Sequence, residues 1–368
     1  MRALRSAGHI VGVCGQASII DGASGFDAYF PRGSSGPTST SESTGSLAHP
    51  DLEHEFSVIG TYFAGTLAAR RFGDVQQSID HWAPDLLLCD EMDFGAMIAA
   101  EQAEIPRVVV NVIASGALTR IKHIRQPVAL LRAVHGLGDD PGCTELTRDL
   151  VVSPFPQSFR HPDFPLPRTA VSIRPESERD TRPFSAVDWL AAGREPGRVY
   201  LTLGTIFNTE SGDLFIRVLE GLRKLPVRVL ATVGVNIDPA SIPVIADNVR
   251  IERFVPQSAV LPHCDLVVNH AGSGSVIGAL AHGIPVIALP MGADQELNAE
   301  RLTALSAGIT LDPLTVTSAE VHGSALRTLA SDSLRTGAKR VRDEIEKMPS
   351  PASIVADLEL LMGNVSRR

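Results

Sequence analysis

The chain reads as an α/β protein made of two parallel sheets in series. Three observations predict this. Short, continuous apolar runs recur along the sequence, each followed by a loop or a helix-forming stretch. Strands apolar on both faces belong to parallel sheets covered by helices. At 368 residues the chain exceeds one ordinary core, so two domains are expected. Between the two sets of runs, residues 153–197 are dense in proline (Pro154, Pro156, Pro162, Pro165, Pro167, Pro175, Pro183, Pro196), the composition of a connection.

Taken in order, residues 10–13 predict a short first strand. Residues 31–50 are rich in Ser, Thr, Gly and Pro and read as a loop. A buried strand over 85–89 (DLLLC) leads to a helix over 94–102, then a strand over 107–112 (RVVVNV). Residues 113–150 are long, partly apolar and rich in Gly, His and Arg. They read either as two surface helices or as a lid over an apolar ligand. The second set opens with a strand over 199–203 (VYLTL), ending in Gly204-Thr205. A helix over 214–222 and strands over 227–232, 249–253, 265–269 and 284–290 follow. The resulting domains are 1–180, 181–348 and a terminal helical segment, 349–368. Two such units in series leave a cleft between them, and ligands sit beyond the carboxyl ends of the strands.

Composition narrows the function. Hydrophobic content of 44% and charged content of 20% describe a globular protein. The net charge is −9 with no basic stripe, which argues against nucleic acid as partner. No apolar run is long enough to span a bilayer, and the first residues lack the apolar core of a signal peptide, so a cytoplasmic protein is expected. Cys14, Cys89, Cys143 and Cys264 are scattered without a CxxC pair, as in a reduced protein without a structural zinc. Oligomeric state is left open, a homodimer included.

Residues 265–300 are the most informative stretch. An apolar strand ends at His270; Gly272, Ser273, Gly274 and Ser275 open the next helix; a second strand ends near Asp294-Gln295. Strand, glycine loop and helix N-terminus make an anion site, because unpaired N–H groups and the helix dipole point outward. Each residue also has a plain structural reading. His270 reads as a satisfied strand-end group, Ser273 as a helix cap, and Asp294 as a helix-start acid.

The composite over residues 252–302 resembles the donor-binding signature of family 1 glycosyltransferases, in their bacterial natural-product branch. VPQ, an apolar strand, HAGSG, GIPVIALP and ADQELNA stand in the family's order and spacing. The resemblance extends more weakly through PDLLLCD, LTLGT and MPSPASIVADL. It implies the GT-B arrangement: two Rossmann-like domains, a nucleotide sugar on the second, an acceptor on the first, and a last helix crossing back. The implied reaction moves a hexose or deoxyhexose, with inversion, from a TDP- or UDP-sugar to a hydroxyl of a hydrophobic natural product. No cofactor or metal is implied.

By the same resemblance, Thr205, His270, Gly272, Ser273, Gly274 and Ser275 hold the diphosphate. Phe254, Val255 and Gln257 meet the base. Asp294 and Gln295 read the sugar hydroxyls, with Asn298 supporting their loop. Asp90, with Asp93 as the neighbouring alternative, is the carboxylate that orients a proton-accepting histidine. That histidine is not found where the pattern places it. MRALRSAGHIVGV aligns with the family's first helix and the turn after it, so His9 is not assigned as the base. On this reading the first strand of the first domain falls outside the chain, through a start codon assigned too late, a truncation, or loss of catalysis. The 368-residue form is then expected to fold poorly or to be inactive.

Three other readings compete. A nucleotide-sugar-binding homologue without activity is one. A related nucleotide-sugar enzyme, an epimerase or a cell-wall hexosaminyl transferase, is another. The third is an NAD-dependent dehydrogenase, from Gly272, Gly274 and Gly278 with Asp294 downstream. Its GxGxxxG spacing misses the dinucleotide rule by one residue.

Overall fold

The computed structural model describes residues 1–16, 26–31, 47, 51–176, 182–192, 197–204, 211–244 and 246–365. Every strand pairing in it is parallel. In the first half, β1 (Gly12–Gly15) and β2 (Ala28–Pro31) form a two-stranded sheet. A separate four-stranded sheet follows in the order β3-β4-β5-β6, from Leu87–Asp90, Arg107–Val110, Leu150–Ser153 and Ala170–Ser172. The helices packing here include α1 (Ala68–Trp82), α2 (Phe94–Gln102) and α3 (Ile121–Val134).

The second half is one six-stranded sheet. Its strands are β7 (Arg198–Thr202), β8 (Arg228–Thr232), β9 (Val249–Glu252), β10 (Leu266–Asn269), β11 (Val286–Ala288) and β12 (Gly308–Thr310). The spatial order is β12-β11-β10-β7-β8-β9. Read from β9, this is the doubly wound order 3-2-1-4-5-6, with the switch point between β7 and β10. Residues alternate between two helical layers. Val199, Leu201, Val229, Ala231, Leu266 and Val268 enter one core, while Tyr200, Leu230, Val267 and Val286 enter the other. Both faces are therefore covered, which is why these strands read as unbroken apolar runs. Helices α4 (Ser273–Ala281), α5 (Gln295–Ala304) and α6 (Asp332–Lys347) lie in this half.

The final helix, α7 (Val355–Val365), returns to the first half. Its Leu358 is buried with Leu4, Val11, Val108, Leu150 and Val152. No described helix is long and apolar enough to cross a membrane. The four cysteines are free.

The expected elements appear, some with identical ends and the others with ends shifted by one or two residues. The two-helix reading of residues 113–150 is corrected: one helix, α3, is followed by a single 3-10 turn at Thr144–Thr147 and then β5. Strands β2, β5, β6 and β12 were not anticipated. Each has only three or four residues, too few to display a period. The loop expected over 31–50 lies outside the described residues, apart from Pro31 and Leu47.

Candidate functional site

A cavity of about 450 Å³ opens at the carboxyl ends of the second sheet, over the β7/β10 switch point. It brings together His270, Gly272, Ser273, Gly274, Ser275, Phe254, Val255, Gln257, Asp294 and Gln295. Val112 and Ile113 of the first half complete its wall. Thr205 lies outside the described residues; its neighbours Thr202 and Gly204 line the cavity.

The turn from β10 into α4 is strained. Ala271 sits at φ +64° and is fully buried, a conformation costing about 1–3 kcal/mol for a non-glycine residue. Asn269 stabilises it by accepting the Ala271 N–H at 2.9 Å. The turn into α5 carries a second such residue, Ala293 at φ +53°. Both left-handed alanines stand within a few residues of the chemistry-bearing groups.

His270 is held in a slot between two glycines. A Cβ on Gly204 would fall 2.7 Å from its Cε1, and one on Gly272 would overlap Nε2. The glycines are required here for close approach. Burial pushes the imidazole down to about 4, against a smaller upward pull from a Thr202 main-chain hydrogen bond. His270 is therefore neutral at pH 7. Its Nδ1 is buried without a hydrogen-bond partner. The N-terminus of α4 lies beside it, and first-turn N–H groups have no intrahelical acceptors.

Ser273 does not cap α4; Gly272 occupies that position. The Ser273 hydroxyl is instead committed to a network between the two halves. It donates to Asp294 Oδ2 and accepts the Ala114 N–H at 2.8 Å. Asn298 Nδ2 donates to Asp294 Oδ2 at 2.7 Å and to the Ala271 carbonyl at 2.9 Å. Asn298 Oδ1 accepts the Ser115 N–H at 3.2 Å. All these groups are buried, and burial pushes the Asp294 carboxyl up against the pull of its Ser273 and Asn298 hydrogen bonds. Gln295 Oε1 accepts the Met291 N–H at 2.7 Å. Asp294 and Gln295 thus reach the cavity wall while their mapped hydrogen bonds hold its loops. Asn298, read as loop support, also joins the halves.

The opposite wall carries Phe254, 61% exposed. Its ring stands at the cavity mouth and is not a core group. Val255 beside it is buried in the core. Gln257 Nε2 donates to Ser275 Oγ at 3.1 Å, tying this strip to α4.

Asp90 and Asp93 separate clearly. Asp93 pairs with Arg71 at 2.8 Å and caps α2 by accepting the Ala96 N–H at 3.1 Å, a structural role. Asp90, exposed at the end of β3, accepts the Met92 N–H at 2.7 Å and does not line the cavity. The residue missed by sequence reasoning is Glu91. Its carboxylate accepts the Val112 and Ile113 N–H groups at 2.6 Å and Asn111 Nδ2 at 2.9 Å. It shapes the loop that docks onto Ser273 and Asn298. No sequence pattern marks a carboxylate that binds main chain twenty residues away.

Comparison with known proteins fits this geometry. Residues 217–361 match the family described as erythromycin biosynthesis protein CIII-like, C-terminal domain. An aclacinomycin-T 2-deoxy-L-fucose transferase of Streptomyces galilaeus is 31% identical over 330 residues, 83% of this chain and 72% of that protein. The chain belongs to the natural-product glycosyltransferase family. A demethyllactenocin mycarosyltransferase of Streptomyces fradiae is 37% identical over 166 residues, 45% of this chain. That alignment spans only 36% of the mycarosyltransferase's own length. Among solved structures, the calicheamicin glycosyltransferase CalG4 superposes with a TM-score of 0.78 at 18% identity, covering 99% of this chain and 93% of that one. The architecture is thus the two-domain arrangement of these glycosyltransferases, and family membership removes the dehydrogenase reading.

Proposed function

We propose that the chain transfers a hexose or deoxyhexose from a TDP- or UDP-sugar to a hydroxyl of a hydrophobic natural-product acceptor, with inversion. The observation that carries this is the His270 slot. A neutral imidazole with an unpartnered Nδ1 stands at a helix N-terminus, between two glycines, on the switch point of a doubly wound sheet. Donors fixed in a poorly solvated site favour the charge that grows on a leaving diphosphate. In this reading, His270 and the first-turn N–H groups near Gly274 and Ser275 hold the diphosphate. Phe254 stacks on the pyrimidine, and the base edge reaches the main chain at Val255. The sugar lies toward Asp294 and Gln295, whose loop is held rigid by Asn298. Asp90 orients the group that takes the acceptor's proton. No metal is required, since fixed N–H donors supply the stabilisation.

The test is calorimetric titration of the intact chain with TDP and UDP, followed by turnover with TDP- and UDP-hexoses and a hydrophobic aglycone. Micromolar binding that His270→Ala weakens supports the reading; no binding of either nucleotide at millimolar dose overturns it. One observation favours a second reading, binding without turnover. Among the described residues lining the cavity, the carboxylate and the imidazole are those of Asp294, bonded to Ser273 and Asn298, and His270, held in its slot, so neither is placed to take the acceptor's proton. Nucleotide affinity with no transfer to any acceptor selects it.

A further inference from the structure

A second cavity, of about 610 Å³, opens in the first half and holds two arginines that lack ionic partners among the described residues. It is mostly apolar, with Phe94, Met97, Ile124, Leu146 and Phe164 in its wall. The Arg120 guanidinium lies between two rings, 3.9 Å from the Phe164 centroid and 4.8 Å from that of Phe56. Its Nε is buried without a hydrogen-bond partner. The Arg160 guanidinium packs on Gly116, a glycine at φ +66° where any Cβ would overlap it. Arg160 Nε donates to the Phe164 carbonyl, while Nη1 is buried and unpartnered.

Carboxylates act on both guanidinium groups from a distance, but among the described residues none forms an ion pair with either. Arginine stays protonated in proteins. Burial pulls both guanidinium pKa values down. The carboxylate acting on Arg160 is Glu91, whose oxygens are occupied by Val112, Ile113 and Asn111. Arg120 feels Glu53, Asp163 and Glu300. Of these, Glu53 pairs with Lys122 at 3.4 Å, and Asp163 stands beside His161 at 3.9 Å. Arg120 is the N-cap of α3, whose N-terminus adds positive potential. Guanidinium groups pre-positioned by rings and a glycine suit a carboxylate.

We propose that this cavity binds the acceptor and selects one with a carboxylate on an apolar, ring-containing body, read by Arg120 and Arg160. This deepens the proposed function and rests on it. The two cavities share a partition: Asn111 and Gly116 face this one, Val112 and Ile113 the donor cavity. An acceptor held here abuts the donor site across one loop.

The experiment titrates the full chain with anthraquinone-2-carboxylate and with its uncharged isostere, anthraquinone-2-carboxamide. The expected result is at least tenfold tighter binding of the carboxylate, a preference that shrinks at high salt. Arg120→Gln and Arg160→Gln should each reduce the discrimination severalfold. Equal affinity for the two probes, no binding of either at millimolar dose, or discrimination surviving both substitutions overturns the proposal. Should the variants fail to fold, the wild-type comparison still decides, together with protection of Arg120 and Arg160 from phenylglyoxal by the carboxylate alone. A parallel TDP and UDP titration separates the two ideas. Nucleotide binding without carboxylate discrimination overturns this inference only; discrimination without nucleotide binding overturns the donor-site reading.

Discussion

Protonating His270 should destabilise the fold, and the size of the effect follows from its slot. Free imidazole titrates near 6.5 and His270 near 4, chiefly because burial penalises the cation. Between those values the unfolded chain holds a proton that the folded chain rejects. Stability therefore falls as pH drops through 6.5 toward 4, and His270 contributes no pH dependence above that window. Linkage gives about 2 kcal/mol lost at pH 5 and about 3 kcal/mol below pH 4. His270→Gln removes this component and leaves every other titrating group in place. Urea unfolding of both proteins, followed by circular dichroism from pH 7.5 to 4.5, isolates it as the difference. The variant should lose about 2 kcal/mol less than the wild type between pH 7.5 and 5. A difference constant across that range would refute the buried, neutral histidine and the donor role built on it. Bound diphosphate should reverse the effect, since an anion beside the ring favours the cation. TDP binding at pH 5 should then take up a proton, visible as a dependence of binding heat on buffer ionisation enthalpy.

Other predictions follow from single contacts. Gly272→Ala drives a methyl into His270 and should weaken nucleotide binding at least about tenfold in calorimetry, a loss of about 1.4 kcal/mol. Asn298→Ala leaves the Ser115 N–H and the Asp294 carboxylate each short of a partner. Its cost should be about 2–3 kcal/mol in thermal or chemical unfolding, with Ser273→Ala smaller. Asp93→Ala removes a helix cap and strands Arg71; it should cost about 2 kcal/mol while leaving nucleotide affinity unchanged. Asp90→Asn should do the reverse, with stability held within about 0.5 kcal/mol and turnover reduced about a hundredfold or more.

Much of the second half was legible because its signals are local. The apolar runs at 199–203, 227–232 and 265–269 needed no partner to be recognised, since burial on both faces leaves no polar position to break them. The glycine loop after His270 announced a helix N-terminus in the same way. The first half was harder to read. Strands of three or four residues, such as Leu150–Ser153 and Ala170–Ser172, carry no period, and prolines around the second resemble a linker. Helix α1, by contrast, buries Phe72, Val75 and Ile79 at helical spacing, a local signal of its own.

The sequence alone determined the α/β class, the switch-point loop and the identity of the groups around it, because strand period, glycine placement and helix starts are properties of neighbouring residues. Only the tertiary structure decided what those groups do. The Ser273 hydroxyl ties the two halves together with Asp294 and Asn298, Asp93 pairs with Arg71, and Phe254 stays in solvent. Arg120 and Arg160 gained their cavity only when Phe56, Phe164 and Gly116 arrived from separate stretches of chain. A side chain's hydrogen-bonding capacity is written in its residue type. Which partner takes it up depends on distant segments meeting in space, as Ser115 and Asn298, 183 residues apart, do.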